Sequence, residues 1–460
     1  MFIDNLEDTI AAISTALGEG AVGIVRLSGP RALMVADAIF SGKKGLKPSE
    51  FKTYSIHYGK IVKGQEVLDE VILTVMRAPY SYTREDVVEI NCHGGIVALR
   101  KVLDVVLEHG CRMAAPGDFT RRAFLNGRID LAQAEAVIDI IRAKTDSALK
   151  VGLEQLKGGL SKEIERIRQA LLNILVVLEA NIDFPDEDIK QQEMAAVSKD
   201  LTVARGRLNK LLDSAKTGRI LREGIHVVIC GKPNVGKSSL LNALLKKERS
   251  IVTPFAGTTR DSIEEIIDIK GIPVRIVDTA GILKPRNLIE KKAVLRAKTH
   301  IRQADLVIIL FDASKKLEQD DWRLIKEIKH RNAIAVINKI DLKQRIKQGE
   351  LARLFHKVVG ISAKKLKNIN LLEDALCEFV YQGKLLSPEF TLVSNLRHVS
   401  ALKDAEKLLN HAAGVFAEKL PLEFFAQDLK DACAYFDKIL GRDLPSDLLD
   451  RIFADFCIGK

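Results

Sequence analysis

Residues 231–238 read GKPNVGKS and follow directly on the apolar run 225–230. No other stretch of this chain restricts its fold so tightly. The pattern GxxxxGK[ST] requires a strand that ends at Cys230, a close turn, and a helix that starts near Lys237. Gly231 and Gly236 let the backbone wrap around a phosphate chain with no Cβ in the way. The unpaired N–H groups at the helix start then face the anion. Lys237 reaches the outer phosphates, and Ser238 is placed to hold a magnesium ion. Asn234, Val235, Gly236, Lys237, Ser238 and Ser239 are therefore candidate nucleotide-binding residues.

The loop alone does not separate ATP from GTP, and Asn338-Lys339-Ile340-Asp341 does. This NKxD reader follows the apolar run 333–337. One carboxylate, that of Asp341, accepts both guanine N–H groups at once, and adenine offers no such pair. Ser362-Ala363-Lys364 follows another apolar run and reads as the loop that closes over the base. Asp278-Thr279-Ala280-Gly281 ends the run 274–277. That is the place for an Asp that orders magnesium through water and a Gly whose N–H meets the γ-phosphate. Thr258 and Thr259 lie between these motifs, where a switch threonine reaches magnesium. The set, in this order, reads as a site for GTP with Mg2+.

The residue after DTAG is Ile282, where a Ras-like protein has the Gln that orients water. Another group must place the water and neutralise developing charge. Asn234 is a candidate ligand for a monovalent cation, standing where an arginine finger would. Thr253, Pro254, Phe255, Ala256, Gly257 and Thr258 supply backbone carbonyls that complete its shell. Glu290 is a candidate to position the water. Read alone, Asn234 is also an ordinary turn residue and Glu290 an ordinary solvated charge.

At 460 residues the chain has room for about three domains. Its 47% hydrophobic content supports large cores, while one Trp and 5% aromatics argue against broad base-stacking platforms. The net charge of +10 favours a polyanionic partner. No two of the six cysteines have CxxC spacing, which speaks against zinc and disulfide frameworks and for a reducing compartment. No apolar run approaches the about 18 residues of a membrane span, and the acidic start MFIDNLEDTIAA lacks the features of a targeting peptide. The expected location is cytoplasmic.

Short apolar runs at 21–27, 51–62, 67–76 and 87–92 and a helical pattern at 96–109 describe an α+β domain. From Phe119 the spacing becomes helical and stays so to about Leu178. Residues 183–186 break it, a helix follows at about 193–214, and helices resume near Asn395. The expected fold class is multi-domain α/β and α. An N-terminal α+β domain (1–118) precedes a central helical domain (119–217 and 384–460), which an inserted P-loop, Ras-like GTPase domain (218–383) interrupts.

DTIAAI at 8–13, GIVRLSGP at 23–30, EDVVEINCHGG at 85–95, PGDFTRRAFLNGRIDLAQAEAV at 116–137, IDFPDEDI at 182–189 and the ending LLDRIFADFCIGK extend across the chain. Together with the GTPase motifs they resemble the family of tRNA-modifying GTPases that act on the wobble uridine (MnmE, or TrmE). The resemblance implies an N-terminal domain like that of folate-dependent aminomethyltransferases, which mediates homodimerisation and binds 5-formyltetrahydrofolate. It places folate contacts at Arg26, Glu89 and Lys460. A further contact, usually Lys, falls on Arg128, which keeps the charge but changes reach and donor geometry. It implies potassium ligands at Asn234, Thr253, Phe255 and Thr258, magnesium ligands at Ser238 and Thr259, a catalytic Glu at Glu290, and a functional thiol at Cys457. It also implies a flavoprotein partner of the MnmG (GidA) type, with tRNA as substrate and an aminomethyl or carboxymethylaminomethyl group at C5 of the uridine as product. The alternative is a ribosome-assembly switch of the Era or EngA type, whose motif wording is shared but which typically carries a KH-like domain after the GTPase.

Overall fold

Alternation decides the first sheet. From Val71 onward in Glu66–Met76, buried and partly exposed residues alternate, as in a strand with one covered face. The computed structural model describes residues 7–42, 45–183, 191–247, 264–278, 299–381, 391–418 and 420–460. It divides into two compact units, residues 1–138 with 434–460, and residues 139–433.

The first unit holds strands β1 (Ile10–Ile13), β2 (Gly20–Ser28), β3 (Phe40–Gly42), β4 (Ser55–Lys63), β5 (Glu66–Met76), β6 (Val87–Gly94) and β7 (Arg112–Met113). Their order is β3-β4-β5-β6-β2-β1-β7. Pairing is antiparallel except between β1 and β7. Helices α1 (Ala32–Ile39) and α2 (Ile96–Glu108) cover one face, packing Ala36, Leu99, Val102 and Val106 against Val25, Leu27, Leu73 and Ile90. On the other face the register sets Arg26, Glu89, Thr74 and Ile56 in one row, and Ile24, Asn91, Ile72 and Tyr58 in the next. Ile56, Tyr58 and Ile72 are 69%, 51% and 45% exposed.

Helix α3 (Asp118–Leu125) belongs with this sheet because Phe119 packs against Ile10, Ala12 and Ala114. Buried Arg122 fixes it from below, donating to Glu85 at 3.0 Å and to the carbonyl of Asp8 at 2.9 Å. Residues 434–460 join the same unit. A Cβ on Gly117 would lie 2.6 Å from the carbonyl oxygen of Phe453, and Arg121 pairs with Asp450 at 3.0 Å.

The single helical period expected over 119–178 is divided in the structure. It comprises α3, α4 (Leu131–Arg142), α5 (Asp146–Leu156) and α6 (Gly159–Asp183). The break before α5 is a capped start, with the Thr145 hydroxyl accepting from the Ala148 N–H at 3.2 Å. The break before α6 is Gly158 at φ +81°. The next helix, α7 (Gln191–Glu223), does not stop near Ser214 as expected. Its last turns carry Ile220 and Leu221, which are buried in the core of the second sheet, so burial extends it. Gly224 at φ +88° then turns the chain directly into β8 (Ile225–Gly231).

The second sheet contains β8, β9 (Glu264–Ile269), β10 (Ile272–Asp278), β11 (Leu306–Asp312), β12 (Ala333–Asn338) and β13 (Lys357–Gly360) in the order β13-β12-β11-β8-β10-β9. All pairs are parallel except β9 with β10. Every residue of β11 is buried. Val227 and Ile229 enter one core and Val228 and Cys230 the other, so helices must cover both faces. Among the described residues those elements are α8 (Lys237–Lys247), α9 (Gln319–Ile328), α10 (Gln348–Ala352) and α11 (Ile369–Tyr381), with α7 entering beneath. Helices α12 (Leu396–Ala417), α13 (Leu422–Leu440) and α14 (Ser446–Ala454) complete the chain, and α12 lies along α7.

The returning segment is stitched to α5 and α7. Gln155 Nε2 donates to the Leu392 carbonyl at 3.0 Å, and the Ser214 hydroxyl accepts from the Val393 N–H at 3.1 Å. Two glycines of α7 test this packing with opposite signs. Gly206 is exposed with nothing within 4 Å of a Cβ, so Gly206→Ala should stabilise by about 0.5–1 kcal/mol through helix propensity. A Cβ on Gly218 would lie 2.2 Å from the Val393 carbonyl oxygen, so Gly218→Ala should destabilise by about 1–3 kcal/mol. Thermal and urea unfolding midpoints that move the same way in both variants would contradict this account.

Candidate functional site

Because β8, β10, β11 and β12 run parallel, their carboxyl ends share one edge, where ligands of open α/β sheets bind. The register sets Gly231 beside Leu310, Asp312 beside Asn338, and Asp278 beside Ile229. Each strand therefore delivers one motif to the same edge.

The phosphate loop is shaped by three positive φ angles, Gly231 at +147°, Asn234 at +63° and Gly236 at +103°. A Cβ on Gly236 would stand 2.3 Å from Asn338 Nδ2, so glycine alone fits there. Lys237 Nζ donates to the carbonyls of Gly231 and Lys232, each at 3.0 Å, and the Leu240 N–H to Gly236 at 2.9 Å begins α8. Ser238 and Ser239 are exposed at the helix start, and Val235 is buried.

Asn338 joins three motifs. It is 2% exposed, and its Nδ2 donates to the Val235 carbonyl at 2.8 Å. Its Oδ1 accepts from the Lys339 N–H at 2.8 Å and from the Ala363 N–H at 3.0 Å. Ser362, buried, exchanges backbone hydrogen bonds with Lys367 at 3.0 Å, which closes the loop containing Lys364. The Ser362 hydroxyl holds the exposed Asp341 carboxyl below its ordinary value. Lys339, at φ +64°, sends its Nζ to the Asn234 carbonyl and to Asp312 Oδ2, both at 2.7 Å.

Burial pushes the Asp312 carboxyl up, and the hydrogen bonds from Lys339 and Ser314 outweigh it, so its pKa lies below the ordinary value of an aspartate. The sign follows from linkage. Its stabilising contribution is complete above that ordinary value and is lost only as pH falls through the lower folded one.

Two supports escaped the sequence reading. FDAS at 311–314 places Asp312 at a strand end in the manner of the Asp of DTAG, and that position is the signal that could have found it. Lys232 is bound to Asp321 at 2.7 Å and Glu318 at 2.9 Å, which braces the loop against α9. Burial works against its ammonium, and these acids outweigh it and raise its pKa. Thr253, Pro254, Phe255, Ala256, Gly257, Thr258, Thr259, Thr279, Ala280, Gly281, Ile282 and Glu290 lie outside the described residues. Asp278 is placed by its backbone at the end of β10.

The first unit carries a second cluster, built on the sheet face opposite α1 and α2. Arg26 and Glu89 are direct partners in the β2–β6 register and pair at 2.7 Å. Arg26 also donates to the Gly459 carbonyl at 3.1 Å and lies 5.6 Å from the Phe119 ring centre. Gly459, at φ +87°, fits closely, since a Cβ there would lie 2.6 Å from the Ile13 carbonyl oxygen. Burial first, and then the Arg26 guanidinium, pull the Lys460 ammonium below its ordinary value. Arg128 stacks 4.8 Å over the Tyr82 ring, whose hydroxyl meets that of Thr120 at 2.9 Å. Cys457 is exposed, whereas burial pushes the thiols of Cys92 and Cys230 up to about 12. The structure thus gathers Arg26, Glu89 and Lys460 around the chain's last residues, and Tyr82 was not foreseen.

The profile of the "GTP-binding protein TrmE N-terminus" matches residues 9–128, and that of the "MnmE helical domain" matches residues 131–457. The tRNA modification GTPase MnmE of Alkaliphilus oremlandii is 45% identical over 464 aligned residues, covering 100% of both chains. That of Clostridioides difficile is 45% identical with 100% of both covered, and that of Bacillus subtilis 42% identical with 98% of this chain and 100% of its own. A crystal structure of Aquifex aeolicus Era bound to GDP.AlF4- is 32% identical over 40% of this chain and 66% of its own, with a TM-score of 0.30. The two profiles and the full-length relatives define a multi-domain GTPase. The chain belongs to the MnmE family of tRNA modification GTPases. Among the described residues, no helix is long and apolar enough to cross a membrane.

Asn338→Ala would strip partners from the Val235 carbonyl and the Lys339 and Ala363 N–H groups. Each lost bond costs about 1 kcal/mol or more. Guanine-nucleotide affinity, read with a fluorescent GDP analogue, should fall by at least about tenfold with the far-UV spectrum retained. An affinity within about twofold of the parent would reject this role for Asn338.

Proposed function

We propose that this chain hydrolyses GTP to time the modification of the wobble uridine of tRNA. The observation that carries the reading is Asn338, whose buried side chain joins the phosphate loop, the guanine reader and the base-closing loop. The loop takes its curl at Gly231 and Gly236, at φ +147° and +103°, where a Cβ would strike the Leu310 carbonyl at 2.7 Å and Asn338 Nδ2 at 2.3 Å. Lys237 and the N–H groups of Val235 to Ser239 hold the phosphates, and Asp341, with Asn338, Lys339, Ser362, Ala363 and Lys364, reads guanine. Ser238 and Thr259 hold magnesium, with Asp278 ordering its water and Thr279 to Gly281 meeting the γ-phosphate. Asn234, with Thr253, Phe255 and Thr258 on the segment that includes Pro254, Ala256 and Gly257, holds potassium. A cation there supplies the positive charge that an arginine finger gives elsewhere. Glu290 positions the attacking water.

In the first unit, Arg26, Arg128 and Lys460 are suited to the carboxylates of a one-carbon folate such as 5-formyltetrahydrofolate, and Glu89 to its pterin N–H groups. Tyr82, partly buried beneath Arg128, is the aromatic group beside these charges. The folate supplies the added carbon, and Cys457, exposed beside this cluster, acts in the uridine chemistry. The exposed Ile56, Tyr58 and Ile72 on the same sheet face support a homodimer formed through this unit. We place the GTPase domain at 218–383 as an insertion between helical parts 119–217 and 384–460, after an N-terminal folate-binding-like domain at 1–118. The return of residues 391–394 onto α5 and α7 supports the insertion. An MnmG-type flavoprotein completes the reaction in the cytoplasm, leaving an aminomethyl or carboxymethylaminomethyl group at C5.

Hydrolysis should run at least about tenfold faster in potassium than in sodium, since the cation replaces a charge worth several kcal/mol. Asn234→Ala should abolish the difference. Equal rates in the two salts, unchanged in Asn234→Ala, would reject the cation site. Mass analysis of wobble nucleosides from cells lacking the protein should reveal unmodified C5, and an unchanged modification profile would reject the tRNA role.

A further inference from the structure

We propose that Asp312 is a positioning residue of the GTP site: through the Lys339 ammonium it fixes the carbonyl of Asn234 and so aims the phosphate loop. The inference rests on the reading of Asn234 as a cation ligand for its potassium readout, and on the geometry alone for its nucleotide readout.

Asp312 ends β11 beside Asn338 in the register, and its side chain is 7% exposed. Its two carboxylate oxygens do different work. Oδ1 accepts from the Ser314 N–H at 3.0 Å and the Ser314 hydroxyl at 2.7 Å, which secures the turn after the strand. Oδ2 accepts from Lys339 Nζ at 2.7 Å. The same ammonium donates to the Asn234 carbonyl at 2.7 Å, so carboxylate, ammonium and peptide carbonyl form one charge-assisted chain.

That chain ends where the loop needs holding. Asn234 stands at φ +63°, a left-handed conformation that asparagine tolerates better than other non-glycine residues, and the Lys339 ammonium on its carbonyl holds the turn in place. Its side chain is exposed, and no hydrogen bond to its amide is present among the described residues. The aim of that amide is therefore set by the backbone, and the backbone is held by Lys339. Lys339 in turn sits at φ +64° with its side chain one-third exposed. Without a negative partner its ammonium gains hydration by swinging outward, and the Asn234 carbonyl loses its donor.

Asp312→Asn separates this role from a structural one. It keeps the volume and an oxygen for Ser314, and removes the charge that holds Lys339. The relay predicts that the potassium concentration for half-maximal hydrolysis rises about tenfold, with kcat at saturating potassium within about twofold of the parent. GDP affinity should weaken by about threefold or more, with the far-UV spectrum retained. Ser314→Ala, which leaves Oδ2 and Lys339 intact, should leave the potassium dependence and GDP affinity unchanged. Parental potassium activation and GDP affinity in Asp312→Asn would overturn the proposal. So would a lowered thermal midpoint and a proportionate loss of kcat at an unchanged half-activating potassium concentration. If the parent shows no potassium stimulation, the cation reading fails by itself. GDP affinity then decides the relay, weakened in Asp312→Asn if it stands and parental if it does not.

Discussion

A parallel strand buried on both faces controls the GTPase half of this molecule. β11 has no exposed residue, and β8 divides its apolar side chains between two cores. Such strands must be joined by crossovers that return the chain over the sheet, and every crossover begins at the same edge. The loops after β8, β11 and β12 are therefore neighbours in space although about a hundred residues separate the first from the last. The site is a product of that return path, and the motifs occupy the positions it creates.

Asn338 converts this proximity into a fixed geometry. A buried amide must satisfy its donors and acceptor, and here they fall on three different loops. The cost of leaving any one unpaired couples base recognition to the shape of the phosphate loop. Lys339 repeats the coupling through charge, with Asp312 beneath it and the Asn234 carbonyl above. The first unit uses a different device. Antiparallel register, and not loop proximity, sets Arg26 opposite Glu89.

The sequence made the GTP-site strands legible because their motifs begin where apolar runs end, so element and function share a boundary. The strands at 67–76 and 87–92 were legible as short apolar runs. The short strands β1, β3 and β7 were not, because four residues or fewer carry no periodicity against which to test them. The end of α7 was misplaced for a related reason. Past Ser214 its burial is set by a sheet formed from residues downstream, a tertiary demand that local spacing does not contain. Asp312 went unread because its role needs Lys339, twenty-seven positions away. Tyr82 went unread because a lone aromatic in SYTRED gives no hint of Arg128 above its ring.

The junction between α7 and β8 has a mechanical consequence. The helix has 33 residues, hence a length of about 50 Å, and a single glycine separates it from the strand that ends in the phosphate loop. Its last turns are wedged under the sheet by Ile220 and Leu221, which ties the end of the helix to the strand. Such a rod is a lever with its short arm at the nucleotide. A rotation of about 5° at the sheet sweeps the far end through about 4 Å, a distance comparable to the rise of three helical residues. A tilt of the sheet at the phosphate loop would therefore be magnified along the length of this helix.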